Sequence, residues 1–255
     1  MSNSPTGPTS TTGSSTSSVS EVEIVACGAL ARHIRDIAAR RGWPVAVRPL
    51  PARLHNRPEK IPEYTERTVA TAQASGSRAV VAYADCGTYG ALDKFDRLPG
   101  LHCYDLFAGP DQIADLLAEE PGTYLLTDYL VRTFDRTVLA SLGLDRHPEL
   151  WNDYFGHYRR LVWLAQEPTP ELEAEAARIA DLFGLPITRI NTGLGRLESA
   201  LAEALEDAAD MRPVAHTPHL VRSVAHNPQS GAGASLGSRS ELNGRDDQRY
   251  WRRVA

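Results

Sequence analysis

The sequence predicts an α/β fold, with a largely parallel, Rossmann-like sheet that carries helices on both faces. Short apolar runs alternate along the chain with longer segments whose apolar residues recur at helical spacing. The runs are nearly continuous, which is typical of parallel strands covered on both faces by helices. At 255 residues, the chain is long enough for one such domain with further segments at its ends.

The apolar runs predict strands at 21–27, 44–50, 78–84, 100–106, 123–127, 160–166 and 185–190. Helices are expected at 29–42, 63–75, 110–122, 128–140, 148–157, 170–184 and 194–207. Thr127 and Thr169 are predicted N-caps, and Gly42 and Gly184 are predicted helix ends. Residues 21–207 thus form a single predicted domain. Residues 1–20 are rich in Ser and Thr and 208–255 are largely polar, so both tails are expected to be disordered.

Charge and cysteine content narrow the class of protein. The formal charge is −5 and no basic cluster is present, so nucleic acid is not an expected partner. No apolar stretch approaches the roughly 18 residues that a membrane span needs, so no membrane role is expected. Three cysteines, an odd number, do not form a disulfide framework and fit a reducing compartment. We therefore expect a cytoplasmic protein.

The three cysteines all lie where predicted strands end. Cys27 follows the first strand, Cys86 the third, and Cys103 lies at the end of the fourth, while His55 follows the second. The carboxyl ends of parallel strands meet at one edge of a sheet, so the four side chains are expected to converge there. Three thiolates, or two thiolates and an imidazole, suit Zn²⁺ and leave a position open for substrate. Three thiolates alone equally suit a [4Fe–4S] cluster with one open iron. The alternative is that each cysteine is a buried apolar filler.

Polar residues near these cysteines are candidates for further roles. His55, Asp85 and Asp128 are predicted acid–base groups, because each follows a strand at the same expected edge. Asn56, Arg57, Tyr89 and Tyr104 are predicted to bind substrate, with Arg57 suited to a carboxylate or phosphate. Each also has an ordinary structural explanation, such as local hydrogen bonding or a solvated loop. His33, within the first helix, is expected to be solvated or structural.

A set of segments carries a resemblance to a known family. They are "ACGAL", "LHNRPEKIP", "YADCGTYG", "CYDLFAG", "GTYLLTDYLVRTFDR" and "GLDRHPEL…YFGHYRRLVWLAQ". Over about residues 22–205 the chain resembles an uncharacterised domain-of-unknown-function family of bacteria and archaea. The resemblance implies an association with corrinoid-dependent methyl-transfer systems. It implies a corrinoid protein as partner and assigns no role to individual residues.

These observations lead to one functional hypothesis with two alternatives. The hypothesis is a metal-dependent enzyme that activates a small thiol substrate for methyl transfer at a site of Cys27, Cys86, Cys103 and His55. One alternative is a [4Fe–4S] lyase or reductase. The other is a non-catalytic accessory protein that binds a corrinoid or another small molecule, or that carries a metal.

Overall fold

The computed structural model describes residues 22–210, so the predictions for residues 1–20 and for most of 208–255 lie outside the described range. The six strands in this range are β1 (Val22–Cys27), β2 (Val45–Leu50), β3 (Arg78–Ala82), β4 (Thr123–Thr127), β5 (Arg160–Ala165) and β6 (Ile187–Asn191). The first helices are α1 (Ala31–Arg41), α2 (Ile61–Ala74), α3 (Asp105–Ala108), α4 (Pro110–Glu119) and α5 (Asp128–Phe134). The later ones are α6 (Ala140–Leu142), α7 (Trp151–Phe155), α8 (Pro170–Phe183) and α9 (Gly195–Asp210). Short 3-10 helices cover Ala52–Asn56, Pro58–Lys60 and Pro148–Leu150, and a π-helical turn covers Asp135–Leu139.

The strands form two parallel three-stranded sheets, in the orders β2-β1-β3 and β4-β5-β6. The predicted α/β class with parallel strands is therefore confirmed, and the division into two sheets is an additional feature. In the first sheet, Ile24 lies opposite Val47 on one side and Val80 on the other. In the second, Val162 has the same central position between Leu125 and Thr188.

The strand sequences explain why each sheet is covered on both faces. Five consecutive residues of β1, from Glu23 to Cys27, are buried, and so are Leu161–Ala165 of β5. Such uninterrupted burial is the pattern of a parallel strand between two helical layers. The last helix, α9, returns to the first half of the chain, where Leu197 and Leu201 join the core around β1 and β3.

Helix ends follow the predicted chemistry. Thr127 accepts a 3.4 Å hydrogen bond from the backbone N–H of Leu130, and Thr169 accepts one of 3.3 Å from Leu172. Both threonines are thus N-caps, as predicted. Gly42 ends α1 with a φ of +64°, in the left-handed region that favours glycine. Among the described helices, none is long and apolar enough to cross a membrane.

The predicted strand over residues 100–106 is wrong. Residues 96–101 do run beside β3, but only as an isolated parallel bridge between Val81 and Arg97. Beyond it the chain turns, because the carboxylate of Asp105 accepts hydrogen bonds from the backbone N–H groups of Leu101 (2.8 Å) and His102 (3.1 Å). Helix α3 then begins at Asp105. Cys103 consequently lies in a turn that precedes a helix.

Candidate thiol and imidazole site

Four predicted ligand residues meet at the carboxyl edge of the first sheet. Cys27 is the last residue of β1, His55 lies in the 3-10 helix after β2, and Cys86 lies in the loop after β3. The sulfur of Cys86 is 3.3 Å from the sulfur of Cys103. Cys103 also forms a side-chain hydrogen bond with Cys27, and Cys86 forms one with His55. The structure thus brings together the three thiols of the chain and one imidazole.

Backbone hydrogen bonds explain why Cys86 and Cys103 are neighbours. The N–H of Asp85 donates to the carbonyl of Gly100 at 3.1 Å, and the N–H of Cys86 donates to Leu101 at 2.8 Å. These bonds continue the bridge beside β3 and hold the two loops in register. The sulfur contact is therefore fixed by the fold of both loops, and it does not depend on a strand at Cys103.

The loop that carries Cys86 is organised by Asp85. One oxygen of its carboxylate accepts hydrogen bonds from the N–H groups of Gly87 and Tyr89, both at 3.1 Å. The other accepts from the Thr88 hydroxyl at 3.2 Å and from the Gly90 N–H at 2.7 Å. These contacts give Asp85 a positioning role. Its predicted acid–base role stays a prediction, and the carboxylate already has four donors from its own loop.

Two residues of this loop have unusual backbone conformations. Cys86 has a φ of +51° and Tyr89 a φ of +55°, in the left-handed region that residues other than glycine seldom adopt. Such conformations cost of order 1–3 kcal/mol each and cluster at functional sites. At Cys86 the conformation holds the thiol beside Cys103 and His55. The strain therefore points to the same side chains as the thiol geometry does.

Close packing at Gly28 brings the element with His55 next to Cys27. A Cβ at Gly28 would lie 2.5 Å from the carbonyl oxygen of Leu50 and 2.9 Å from the N of Ala52. No side chain fits there, so the 3-10 helix that begins at Ala52 can lie directly against the turn after β1. His55 reaches the thiols from this helix.

The hydrogen bonds among the thiols distribute the protons unevenly. A hydrogen bond with Cys103 lowers the pKa of Cys86 to about 6; burial opposes this effect, and His55 adds to it. The pKa of Cys27 is also lowered, chiefly by its hydrogen bond with Cys103. The pKa of Cys103 is raised well above the usual thiol value by its bonds to Cys27 and Cys86. Of the three thiols, Cys103 is thus the one whose hydrogen bonds make its proton hardest to remove.

His55 interacts with the sulfur of Cys86. Their hydrogen bond raises the pKa of the imidazole, and partial desolvation of the ring by the surrounding protein opposes this effect. A protonated imidazole beside a thiolate is the arrangement that activates cysteines as nucleophiles and as metal ligands. His55 is exposed to solvent, as are Asn56 and Arg57 at the end of the same 3-10 helix. The site is therefore open on the side of this helix.

The remaining predicted residues have different surroundings. Tyr89 is 58% exposed on the Cys86 loop, where a small molecule could reach it. Tyr104 is partly buried and packs against the apolar core beneath the second sheet. Burial, followed by the charge of Cys103, raises the pKa of the Tyr104 phenol. Tyr104 therefore connects the thiols to the second sheet, and its predicted substrate-binding role stays a prediction.

Asp128 lies at the carboxyl end of β4, in the second sheet. It is fully buried and accepts hydrogen bonds from the Trp163 indole (2.9 Å) and from the backbone N–H groups of Gln166 (3.2 Å) and Glu167 (2.7 Å). These donors come from β5 and the residues after it. Asp128 belongs to a separate polar centre, and its predicted acid–base role at the thiols stays a prediction.

The sequence alone did not indicate the role of Tyr83. This residue follows β3, is 2% exposed and forms a side-chain hydrogen bond with Cys27. Burial raises the pKa of its phenol, so the hydroxyl keeps its proton and can donate to the sulfur. The signal in the sequence was an aromatic residue with a polar end, three residues before Cys86.

Within residues 22–210, no group of three or more His, Cys, Asp or Glu side chains has its donor atoms arranged to hold a metal ion. The thiols and the imidazole instead hydrogen-bond to one another. Metal-free cysteines are expected to form such contacts, because an S–H is a donor and each sulfur an acceptor.

Together, the fold and the site define an α/β protein with a cysteine-rich polar centre at the carboxyl ends of parallel strands. The chain belongs to the family described as protein of unknown function (DUF1638), whose sequence profile matches residues 49–201. The expected membership of a family of this kind is thereby confirmed. The matched region contains His55, Cys86 and Cys103 and begins after Cys27. No curated protein and no solved structure matches the chain.

Proposed function

We propose that the protein is a zinc-dependent enzyme whose ion is bound by Cys27, Cys86 and Cys103, with His55 as fourth ligand or as acid–base group. The observation that carries this proposal is the meeting of three thiols and one imidazole from four separate segments of the chain. Three such ligands and a fourth that can be displaced are typical of catalytic zinc sites.

Zinc binding would require Cys86 and Cys103 to move slightly apart. In a tetrahedral site with Zn–S bonds of about 2.3 Å, two sulfurs lie roughly 3.7 Å apart. The sulfurs of Cys86 and Cys103 are 3.3 Å apart, so they must separate by a few tenths of an ångström as their protons leave. Cys86 and Cys103 lie on loops, where such a shift is least costly.

The spacing also favours a single ion over a [4Fe–4S] cluster. Around one ion, all thiolate sulfurs are close neighbours. In a cubane each thiolate binds a different iron, so the sulfurs must lie much further apart. A direct sulfur contact between Cys86 and Cys103 fits the first arrangement. We therefore propose zinc as the cofactor, with a cluster as the outcome that would redirect the proposal to lyase or reductase chemistry.

The proposed reaction is the methylation of a small thiol. Zinc held by these residues would offer a position for a substrate thiol and would favour loss of its proton, because the cation stabilises the thiolate. His55, at the open side of the site, would accept that proton. The thiolate then attacks the methyl carbon of a donor, so that a new S–C bond forms and the donor keeps the electron pair of the broken bond. Following the family resemblance, we propose a corrinoid protein as that donor.

Metal content of the full-length chain, purified without oxygen, tests the metal site. We expect about one zinc per chain. We expect Cys86→Ser to weaken zinc binding by more than about 100-fold, because loss of an outer hydrogen bond alone costs 10- to 100-fold. His147, which is exposed beside Glu149, provides the matched control for His55. His147→Gln should bind zinc normally, whereas His55→Gln should bind it less tightly.

Two other results of the metal measurement would each overturn the proposal in a different way. Iron with labile sulfide in the purified protein would mean that the site holds an iron–sulfur cluster and not zinc. A reduced protein that takes up neither metal, with the thiols intact, would exclude the metal site.

Turnover is tested separately from metal binding. Zinc-loaded protein is incubated with methylcobalamin and homocysteine, and the methylated thiol is measured by mass spectrometry. We expect product in the presence of zinc and none with Cys86→Ser. Zinc binding without product from this donor or from a corrinoid protein would favour the non-catalytic alternative, an accessory protein that binds a small molecule or carries the metal.

A further inference from the structure

The contact between Cys86 and Cys103 has a chemical consequence beyond metal binding. Their sulfurs are 3.3 Å apart, and a disulfide bond measures about 2.05 Å. Closing the remaining gap needs a displacement of little more than about 1 Å, which side-chain rotation and a small loop shift can supply. The backbone bonds from Asp85 to Gly100 and from Cys86 to Leu101 already hold the two loops together.

We propose that Cys86 and Cys103 form a reversible disulfide that switches the metal site off. The consequence for metal binding rests on the proposed function, whereas formation of the disulfide does not. Oxidation would remove two of the four proposed ligands and leave Cys27 and His55, which are too few to retain zinc. Bound zinc would in turn protect both sulfurs from oxidation.

The oxidant we propose is a peroxide. One sulfur attacks a peroxide oxygen, the O–O bond breaks, and a sulfenic acid and one water form. The second sulfur then attacks the sulfenic sulfur, the S–O bond breaks, and a second water leaves. In total, two thiols lose two protons and two electrons, and hydrogen peroxide is reduced to two waters. Reduction by a dithiol reverses the change.

Mobility favours this pair over a disulfide with Cys27. Cys103 is the partly exposed member of the three, and Cys27 and Cys86 are each 5% exposed, so the choice of its partner depends on which sulfur can move. Cys27 ends β1, whose backbone is held by ladders to β2 and β3 on both sides, and its thiol is bonded to Tyr83. Cys86 and Cys103 lie in loops, so their sulfurs can approach each other without disturbing a strand.

The test uses full-length protein, with metal removed by a chelator, treated with hydrogen peroxide and digested with trypsin without reduction. Trypsin cuts at Lys94 and Arg97, so Cys86 and Cys103 fall on separate peptides and their disulfide links two fragments. We expect this linked pair in the native chain and in Cys27→Ser. We expect none in Cys86→Ser or Cys103→Ser, and loss of the link after treatment with dithiothreitol.

Zinc capacity is measured on the same samples. We expect oxidised protein to bind at least about tenfold less zinc, and binding to return after reduction. A dominant link that includes Cys27, or oxidation to sulfinic acid without an intramolecular link, would refute the switch. If reduced protein binds no zinc, the proposed function fails, and the peptide map still decides whether the disulfide forms.

Discussion

The carboxylate of Asp128 accepts a 2.9 Å hydrogen bond from the indole nitrogen of Trp163, and both side chains are almost completely buried. Asp128 follows β4 and Trp163 lies in β5, so the bond ties the carboxyl ends of two neighbouring strands. The backbone N–H groups of Gln166 and Glu167 donate to the same carboxylate. A buried carboxylate with three donors is a strong structural link, because each donor would otherwise lack a partner.

We therefore expect Asp128→Ala to lower the free energy of unfolding by about 3 kcal/mol, since it leaves buried donors unpaired. Asp128→Asn should cost less, because its amide oxygen can still accept. Urea unfolding followed by tryptophan fluorescence measures both changes. Asp135→Asn is the matched control, because Asp135 has an exposed carboxylate. If Asp128→Asn unfolds like the native chain but loses methyl transfer, Asp128 has the acid–base role that the sequence predicted.

The local pattern of apolar residues in the sequence was enough to predict some strands but not how the strands pair. β4 occupies the predicted residues, Thr123–Thr127, because a short buried strand has an apolar run with clear ends. The predicted strand at 100–106 failed because its apolar residues belong to a turn that the Asp105 side chain stabilises. The division into two sheets depends on which strands pair, and on α9 returning to the core around β1. Long-range packing of this kind is not visible in a local pattern.

Part of the site could be predicted, because the geometry of a parallel sheet determines where some of its residues lie. Cys27 ends β1, and His55 and Cys86 follow β2 and β3, so the geometry of a parallel sheet brings them to one edge. Cys103 joins them through backbone bonds between loops, which no periodicity in the sequence reveals. Asp85 and Asp128 occupy strand ends as well, but the direction of each carboxylate decided its contacts. That direction depends on tertiary packing.

The close approach at Gly28 gives a second prediction. In Gly28→Ala, the new methyl group would lie 2.5 Å from the Leu50 oxygen, so the 3-10 helix with His55 must move away from Cys27. We expect a loss of about 1–3 kcal/mol of stability from overpacking. Zinc affinity should fall at least about tenfold, as it does when ligand positioning is disturbed. A titration with a zinc-competing dye measures the second effect.

Gly195→Ala is the control for this change, because a Cβ at Gly195 meets open space at the start of α9. Alanine there should leave zinc binding unchanged. Unaltered zinc affinity in Gly28→Ala would mean that the 3-10 helix does not position His55 for the metal.

The ion pair between Glu23 and Arg48 gives a prediction about acid stability. Glu23 is 4% exposed in the central strand β1, and Arg48 lies on β2. Two side-chain hydrogen bonds join them, one of them 2.9 Å long. Bonding to Arg48 lowers the pKa of Glu23, although burial opposes the effect. Because the pKa is lowered, the pair stabilises the fold at pH values above the pKa of glutamate in the unfolded chain, about 4.3. This stabilisation is lost as pH falls through the folded-state pKa of Glu23.

We expect Glu23→Gln to cost about 1–3 kcal/mol near neutral pH, where the charged hydrogen bonds are lost. The difference from the native chain should shrink at about pH 3, because Glu23 of the unfolded chain is then largely protonated and part of the contribution of the lowered pKa is lost. Urea unfolding at the two pH values measures it. Glu63→Gln is the control, since Glu63 forms an exposed pair with Arg67. This change should stay within about 0.5 kcal/mol. An undiminished cost of Glu23→Gln in acid would show that packing, and not charge, is responsible.

The buried imidazole of His33 gives a prediction of the same sign as that for Glu23, but in a higher pH range. His33 is 3% exposed and meets Phe107 edge to face, and within residues 22–210 its Nδ1 has no hydrogen-bond partner. Burial lowers its pKa; the charges of Glu167, Asp128 and Asp36 oppose this, and Arg132 adds to it. The folded protein therefore resists protonation more than the unfolded chain, whose histidines titrate at about 6.5.

The contribution of the neutral His33 to the free energy of unfolding is therefore fully present above about pH 6.5. As pH falls from there toward the lowered folded-state pKa, this contribution is lost by up to about 1.4 kcal/mol per pH unit. His33→Leu removes this term, so its stability should depend less on pH between about 7 and 5. His55, whose pKa is raised, is present in both proteins, and the difference between them isolates His33. His147→Gln, at an exposed site, should keep the native slope. Equal slopes in native and His33→Leu proteins would mean that His33 is protonated in the fold, with Glu167, 3.5 Å from Nδ1, as its partner.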